Sequence, residues 1–346
     1  MKPFRLRHLR LAVGAILFAG ILLFRFIPGA GEVYARTFYP VISSVLSAVA
    51  STVPVLLEEV LVIGAGAGLL IYPFTARRHE WKHIVFREAE IIAWIYIWFY
   101  WGWGMNYFRD DFYQRANVTP VTYREEDFRR FLHTYTEKLN KAYVALPSSF
   151  EVRTAEEEIK EIYRTLPAHF GLAEPRSFQH PKRSLMDGLY SSVGVLGYMG
   201  PFFAESYINK CMKADAFTYA HELSHWLGVS SEAEANFWAY QVCLRSADAA
   251  IRYQGYFGLL PYVLTNANSL LSQHEFEAWV QTLRPEITAD YRKLRQLRAR
   301  LYSPLVGSIQ DTVYDWYLKS NRISSGQKNY AEVIGMILSV QEEWRY

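Results

Sequence analysis

The chain has 346 residues, of which 51% are hydrophobic and 21% charged, and its 10 Trp, 25 Tyr and 21 Phe make it 16% aromatic. This composition excludes disordered, collagen-like and disulfide-scaffold proteins, which lack core-forming aromatics or are dense in cysteine. A net charge of +3, from 37 basic and 34 acidic residues, gives no field that would argue for nucleic acid as a partner.

The apolar residues are concentrated in three uncharged runs near the N-terminus. Leu11 to Phe24 is 14 residues long and follows Lys2, Arg5, Arg7 and Arg10; Val60 to Ala76 is 17 long; Ile91 to Phe108 is 18 long, and half of it is aromatic. A helix rises about 1.5 Å per residue, so roughly 17 to 25 residues cross the hydrocarbon core. Three transmembrane helices are therefore expected, over about 11–27, 58–76 and 91–108, with Arg25 snorkelling at the end of the first. The first run also fits the apolar core of a signal peptide. No small-x-small cleavage site follows it, so an uncleaved anchor is expected.

Lys and Arg in short loops set orientation. Residues 1–10 carry four (Lys2, Arg5, Arg7, Arg10) and residues 77–90 carry four (Arg77, Arg78, Lys82, Arg87), whereas 26–59 carry only Arg36. This places the N-terminus and the second loop in the cytoplasm and residues 109–346 outside the cytoplasmic membrane. The Trp and Tyr cluster from Trp98 to Tyr107 suits the outer interfacial belt.

Residues 109–346 are enough for one sizeable domain. Thr122 with Glu125 reads as a capping box for a helix over 122–145 that carries Phe128, Phe131, Leu132, Tyr135 and Leu139 on one face. Thr154 with Glu157 reads as the cap of a second helix, ending before Pro167. Leu189 to Asn209, rich in Gly, Val, Tyr and Phe, reads as a strand or hairpin region. Helices resume at Asp215 and dominate to the end. In 286–302, Arg292, Lys293, Arg295, Arg298 and Arg300 mark a solvated basic face, with anionic lipid as its other possible contact. Cys211 and Cys243 have no zinc-site spacing; a disulfide or two separate thiols both fit them.

His221-Glu222-Leu223-Ser224-His225 carries the chemistry. Residues four apart share a helix face, so both imidazoles can bind one metal, and Glu222 can reach a water at that metal as general base. Asp215 suits the helix start and Gly228 a left-handed C-cap. Ser230 or Ser231 can then cap a new helix beginning Glu232-Ala233-Glu234-Ala235-Asn236. A catalytic zinc needs a third protein ligand, and a carboxylate in the first turn of that helix can supply it. Glu232 and Glu234 compete for the role. The wording resembles the Glu-x-x-Ala-Asp/Asn of glutamate zinc peptidases, which favours Glu232, with Asn236 orienting a ligating histidine. Glu234 points about 160° away. A metzincin reading fails because its third histidine would fall at Ser231. Tyr240, Arg252, Tyr253, Tyr256 and His274 are candidates to stabilise an oxyanion, Tyr253 and Tyr256 foremost. Gly197 to Phe203 could be an edge strand that binds an extended peptide.

At these residues the chain resembles an uncharacterised membrane family, domain-of-unknown-function family 3810, grouped with the zincin-like peptidases. The likeness runs through Trp103-Gly104-Met105-Asn106-Tyr107-Phe108-Arg109, Gly200-Pro201-Phe202-Phe203-Ala204-Glu205, Ala220 to Cys243, Arg252-Tyr253-Gln254-Gly255-Tyr256 and Tyr314-Asp315-Trp316-Tyr317-Leu318-Lys319. It implies three N-terminal spans and an outer zincin-like domain, and names no substrate.

The combined expectation is a helix-dominated α+β protein, with a membrane region over 1–108 and an extracytoplasmic zincin-like domain over 109–346. It would be a membrane-anchored zinc metallopeptidase in which His221, His225 and Glu232 hold Zn²⁺ and Glu222 takes a proton from the attacking water. Its partners would be a peptide or protein substrate and the lipid bilayer. The alternative is a non-catalytic membrane protein with a structural or ligand-binding metal site.

Overall fold

The computed structural model describes residues 2–76, 80–122, 124–146, 152–209, 216–321 and 332–340. The architecture is helix-dominated α+β with one small sheet, as expected. The chain divides into two compact units, the first made of Met1–Asp110 with Phe178–Leu185 and Met199–Tyr207. This unit opens with α1 (Lys2–Phe26), α2 (Ala30–Val33), a π-helical turn (Tyr34–Phe38) and α3 (Tyr39–Ser51), and continues with α4 (Leu57–Thr75) and α5 (Trp81–Gly102).

Among the described residues, two helices are long and apolar enough to cross a membrane, Leu6–Phe26 within α1 and all of α4. Both turn large apolar side chains outward, among them Ile16 and Leu23 on α1 and Leu70 and Phe74 on α4. The third expected span is corrected. Residues 91–108 are not one helix: α5 stops at Gly102, and Gly104–Phe108 form a buried 3-10 turn. Two glycines in three residues, both poor helix formers, end the run there. The helix itself begins ten residues earlier, so Arg87, Glu88 and Glu90 fall within every eighteen-residue window of it.

Helix α3 lies between the first two apolar runs. It buries two of its four serines, Ser43 and Ser47, and exposes Val41, Val45 and Val49 at fourfold spacing. Helix α5 is tied to α1 by the Trp101 indole, which donates to the Leu17 carbonyl at 3.1 Å, and by the Arg10–Glu90 ion pair at 3.2 Å. The start of α4 is held by carboxylates. Glu205 accepts the Glu58 N–H at 2.7 Å and also receives Lys182 at 2.6 Å; Glu59 accepts from Ser184 and from the Leu185 N–H, each at 2.6 Å. Glu205 thereby satisfies one of the orphan donors every helix start carries.

The sheet has three short strands, β1 (Pro181–Lys182), β2 (Gly197–Gly200) and β3 (Glu205–Ile208), in the order β1-β3-β2. Strands β1 and β3 pair in parallel, Pro181 opposite Ser206 and Lys182 opposite Tyr207. Among the described residues, strand β2 is therefore an edge.

The second unit holds Asp111–Ser177, Met186–Tyr198 and Ile208–Tyr346. Its helices are α6 (Phe112–Ala116), α7 (Glu125–Ala142), α8 (Val152–Arg164), α9 (Asp187–Ser192), α10 (Ala216–Trp226), α11 (Glu232–Arg245), α12 (Ala249–Leu270), α13 (Gln273–Val280), α14 (Pro285–Leu301), α15 (Pro304–Ser320) and α16 (Val333–Ser339). Phe128, Leu132, Tyr135 and Leu139 of α7 are buried, as their spacing predicts. The start of α7 is corrected: Arg124 is its N-cap residue and donates its N–H to Asp127 at 3.0 Å, so Thr122 lies outside. Likewise Thr154 lies inside α8, two residues past its start. Of the expected strand region, Asp187–Ser192 is helical, and β2 and β3 follow. Asp215 and Cys211 lie outside the described residues; Cys243 is buried.

Helix α10 is buried along its entire length, packed among α8, α11 and α12. The Tyr163 hydroxyl of α8 donates to the Ala220 carbonyl at 2.8 Å, which pins the middle of α10. A helix buried all round is rigid, and this one carries the two histidines.

Candidate metal centre

Local capping sets the spacing of the site. Gly228 ends α10 with φ +97°, a left-handed conformation that glycine adopts without steric cost. Three residues later the Ser231 hydroxyl accepts the Glu234 N–H at 3.3 Å and starts α11. The tight link between two packed helices brings the first residue of α11 against the first and fifth residues of the motif.

Glu232 Oε2 lies 3.1 Å from His221 Nε2 and 3.3 Å from His225 Nε2, and the two Nε2 atoms are 3.1 Å apart. One ligand atom from each residue falls within 4.8 Å of the others. Both outer nitrogens are engaged: His225 Nδ1 lies 2.8 Å from the Val229 carbonyl, and His221 Nδ1 2.9 Å from Asn236 Oδ1. A carbonyl oxygen only accepts, so Nδ1 carries the hydrogen, and in a neutral imidazole Nε2 is then a bare lone pair. Three lone-pair atoms thus converge, and the buried Glu232 Oε2 has no hydrogen-bond partner. With both imidazoles neutral such a set is self-repelling, and either a metal cation among its members or a proton on His225 facing Glu232 relieves it. Two imidazoles and one carboxylate are the donor types of a catalytic zinc. The other carboxylate oxygen, Glu232 Oε1, accepts from the Tyr314 hydroxyl at 2.6 Å.

Charge follows from this crowding. Burial pulls His225 toward its neutral form, but the Glu232 carboxylate outweighs it and lifts the group to about 9. Burial would also raise Glu232, yet the two imidazoles hold it well below the ordinary carboxylate range. Glu222 is different. Its burial raises it to about 7, with Glu232 adding to the rise and the histidines opposing it. One carboxylate of the site is held ionised and its neighbour is poised to exchange a proton near neutrality.

Glu222 lies on the wall of a cavity of about 470 Å³, with His221, Gly197, Phe257, Arg298 and Tyr314 among the other lining residues. A Cβ placed on Gly197 would come within 3.0 Å of Glu222 Cγ, Glu222 Oε1 and Thr218 Cγ2. The edge strand β2 therefore runs directly over the general-base candidate. Gly197→Val is expected to destabilise the fold by about 1–3 kcal/mol through overpacking. A lowered denaturant midpoint, with a smaller drop for Gly197→Ala, checks this; an unchanged midpoint for the valine variant would refute the close approach.

The residues singled out from sequence separate cleanly. His221, Glu222, His225, Glu232 and Asn236 come together. Glu234 does not: it takes the Arg115 guanidinium on one oxygen and the Trp238 indole N–H, at 2.9 Å, on the other. Tyr253 and Tyr256 are also elsewhere, in an aromatic cluster that includes Tyr143, Tyr240 and Tyr135, and neither lines the cavity. The side chain of Arg252 binds the carbonyls of Ser246 and Ala247. What sequence reasoning missed are Tyr314 and Arg298, from α15 and α14. No spacing rule links Tyr314 to Glu232, 82 positions away, although it stands in one of the segments that carry the family resemblance.

Neither the curated proteins nor the solved structures contain a match to this chain. A family model does match, over residues 34–338, and that span includes the motif, Glu232 and Tyr314. On that match, the chain belongs to the family described as proteins of unknown function, DUF3810.

Proposed function

We propose that the protein is a membrane-anchored, zinc-dependent metallopeptidase whose catalytic unit is zincin-like and faces away from the cytoplasm. The observation that carries the reading is the convergence of His221, His225 and Glu232, with His221 and its neighbour Glu222 on the wall of one cavity. The two apolar helices with outward-facing side chains support the anchor, and the excess of Lys and Arg in 1–10 and 77–90 supports the orientation.

His221 and His225 would hold Zn²⁺ through Nε2, and Glu232 through Oε2. When bound, the ion supplies Lewis acidity, polarising a carbonyl and lowering the pKa of water toward about 7. Asn236 and the Val229 carbonyl fix the tautomer and ring angle of the histidines, and Tyr314 fixes the carboxylate. Glu222 takes a proton from the attacking water and later gives it to the leaving amine, a two-way task suited to a carboxyl near 7. Strand β2, an edge with glycine beside Glu222, would pair with an extended peptide backbone. With Tyr253 and Tyr256 away from the cavity, Arg298 is the cationic group on its wall for an oxyanion to meet.

The non-catalytic alternative, a metal that only staples helices or binds a ligand, accounts less well for an acid beside the ligands and a cavity over them, since structural zinc sites close their fourth position. The purified full chain, loaded with zinc, is expected to cleave members of a mixed peptide pool. Chelation should abolish the cleavage and zinc restore it. A zinc-loaded chain that cleaves nothing in the pool would favour the alternative.

A further inference from the structure

Helix α15 presents two unlike faces. Leu305, Ile309, Val313 and Trp316 are exposed to 74%, 60%, 59% and 70%. At 3.6 residues per turn these four fall within an arc of about 80°. Gln310, Asp311 and Tyr314, which line the candidate metal cavity, lie on the opposite side of the same helix. A water-soluble surface helix has the reverse pattern, apolar inward and polar outward. Four large apolar side chains in one exposed stripe, one of them tryptophan, mark an interaction surface rather than scattered surface residues.

Charge identifies what the surface meets. Helix α14 precedes α15 by only two residues, and it carries Arg292, Lys293, Arg295, Arg298 and Arg300 against Glu286 and Asp290. Arg292, Lys293, Arg295 and Arg300 lie toward solvent. A basic helix running into an exposed apolar stripe ended by tryptophan matches the surface of a bilayer containing anionic lipid. The apolar side chains enter the acyl boundary, the arginines and lysine meet phosphates, and the indole sits at the headgroup level.

We infer that α15, together with the basic end of α14, is a membrane-surface docking element that binds anionic bilayers. The inference stands on exposure and charge and is independent of the metal. It also has a consequence for the site. Tyr314 holds Glu232 from the inner face of α15, so docking of the outer face steadies the helix that positions a candidate ligand.

The test uses the full chain in nanodiscs of neutral phosphatidylcholine or of phosphatidylcholine mixed with phosphatidylglycerol, in a Cys211→Ser background. Nitroxide labels go on Ile309→Cys, Trp316→Cys and, as a solvent control, Glu277→Cys. In the anionic discs, labels at 309 and 316 should gain collisions with oxygen and lose them with a water-soluble nickel chelate, while the label at 277 stays in water. Each basic residue near the surface favours an anionic membrane about fivefold. Replacing Arg292, Lys293, Arg295 and Arg300 with Gln should therefore reduce the anionic signal to that of neutral discs. Labels at 309 and 316 that remain as wet as 277 in both discs would overturn the inference. So would labels that are immobilised without oxygen contact, or coupled between two copies, because protein would then cover the face. An anionic signal unchanged by the four Gln substitutions would overturn the lipid-charge part.

Discussion

Glu222→Gln is expected to leave the metal content of the protein unchanged while lowering peptide cleavage by about 10²- to 10⁴-fold, the usual contribution of a positioned general base. The substitution keeps size and shape. The glutamine side chain would still fit beneath Gly197, against which the Glu222 side chain packs closely. What it loses is the ability to hold a proton. Burial has raised this carboxyl to about 7, so at neutral pH it both accepts and donates, whereas an amide cannot exchange a proton in this way. A rate within a few-fold of wild type would remove Glu222 from the mechanism. Loss of metal in this variant would make it a positioning residue instead.

The second large effect concerns stability. Arg115→Ala should destabilise the fold by about 3–5 kcal/mol, because it leaves the Glu234 carboxylate buried without its partner. The Arg115 and Glu234 side chains are 2% and 4% exposed, and Arg115 also donates to the Phe170 carbonyl. The remaining donor, the Trp238 indole N–H at 2.9 Å, satisfies only one oxygen of the carboxylate. Glu234 is next but one to Glu232 in the first turn of α11, so the same half-turn serves two purposes. One carboxylate faces the histidines and the other anchors the helix to α6. Chemical denaturation of the full chain checks the figure, and a loss below about 1 kcal/mol, the range of exposed pairs, would contradict it.

How far the site could be read from sequence follows from the range of the forces that build it. His221, Glu222 and His225 share a helix, and Glu232 and Asn236 share the next. Gly228 and Ser231 fix the short link between them through local backbone geometry and a single side-chain cap. Each of these relations spans only a few residues, and helical periodicity is enough to state it. The separation of Glu232 from Glu234 is likewise a matter of angle about one helix axis. Tyr314 and Arg298 enter through tertiary packing of α14 and α15, for which the chain carries no periodic signal. The placement of the oxyanion candidates has the same origin: Tyr253 and Tyr256 are tyrosines on a helix that does reach the cavity, through Phe257, Gly258, Pro261 and Tyr262, yet they lie in the aromatic cluster beside it.

The membrane region shows the complementary error. Counting uncharged residues found α1 and α4, where the apolar run and the helix coincide. It failed on 91–108, where Gly102 and Gly104 divide the run and the helix extends back through charged residues. The stretch 37–57, which holds α3, is uncharged as well and escaped that count; in it exposed Val41, Val45 and Val49 alternate with buried Ser43 and Ser47.

The central claim is that His221, His225 and Glu232 form one metal centre. Metal analysis of the purified full chain, wild type beside His221→Ala, tests it most directly. About one zinc per wild-type chain is expected, as a three-ligand site with an open position would hold. The His221→Ala protein should lose most of that zinc and remain folded. Zinc well below one equivalent in the wild type, or the same content in both proteins, would contradict the account.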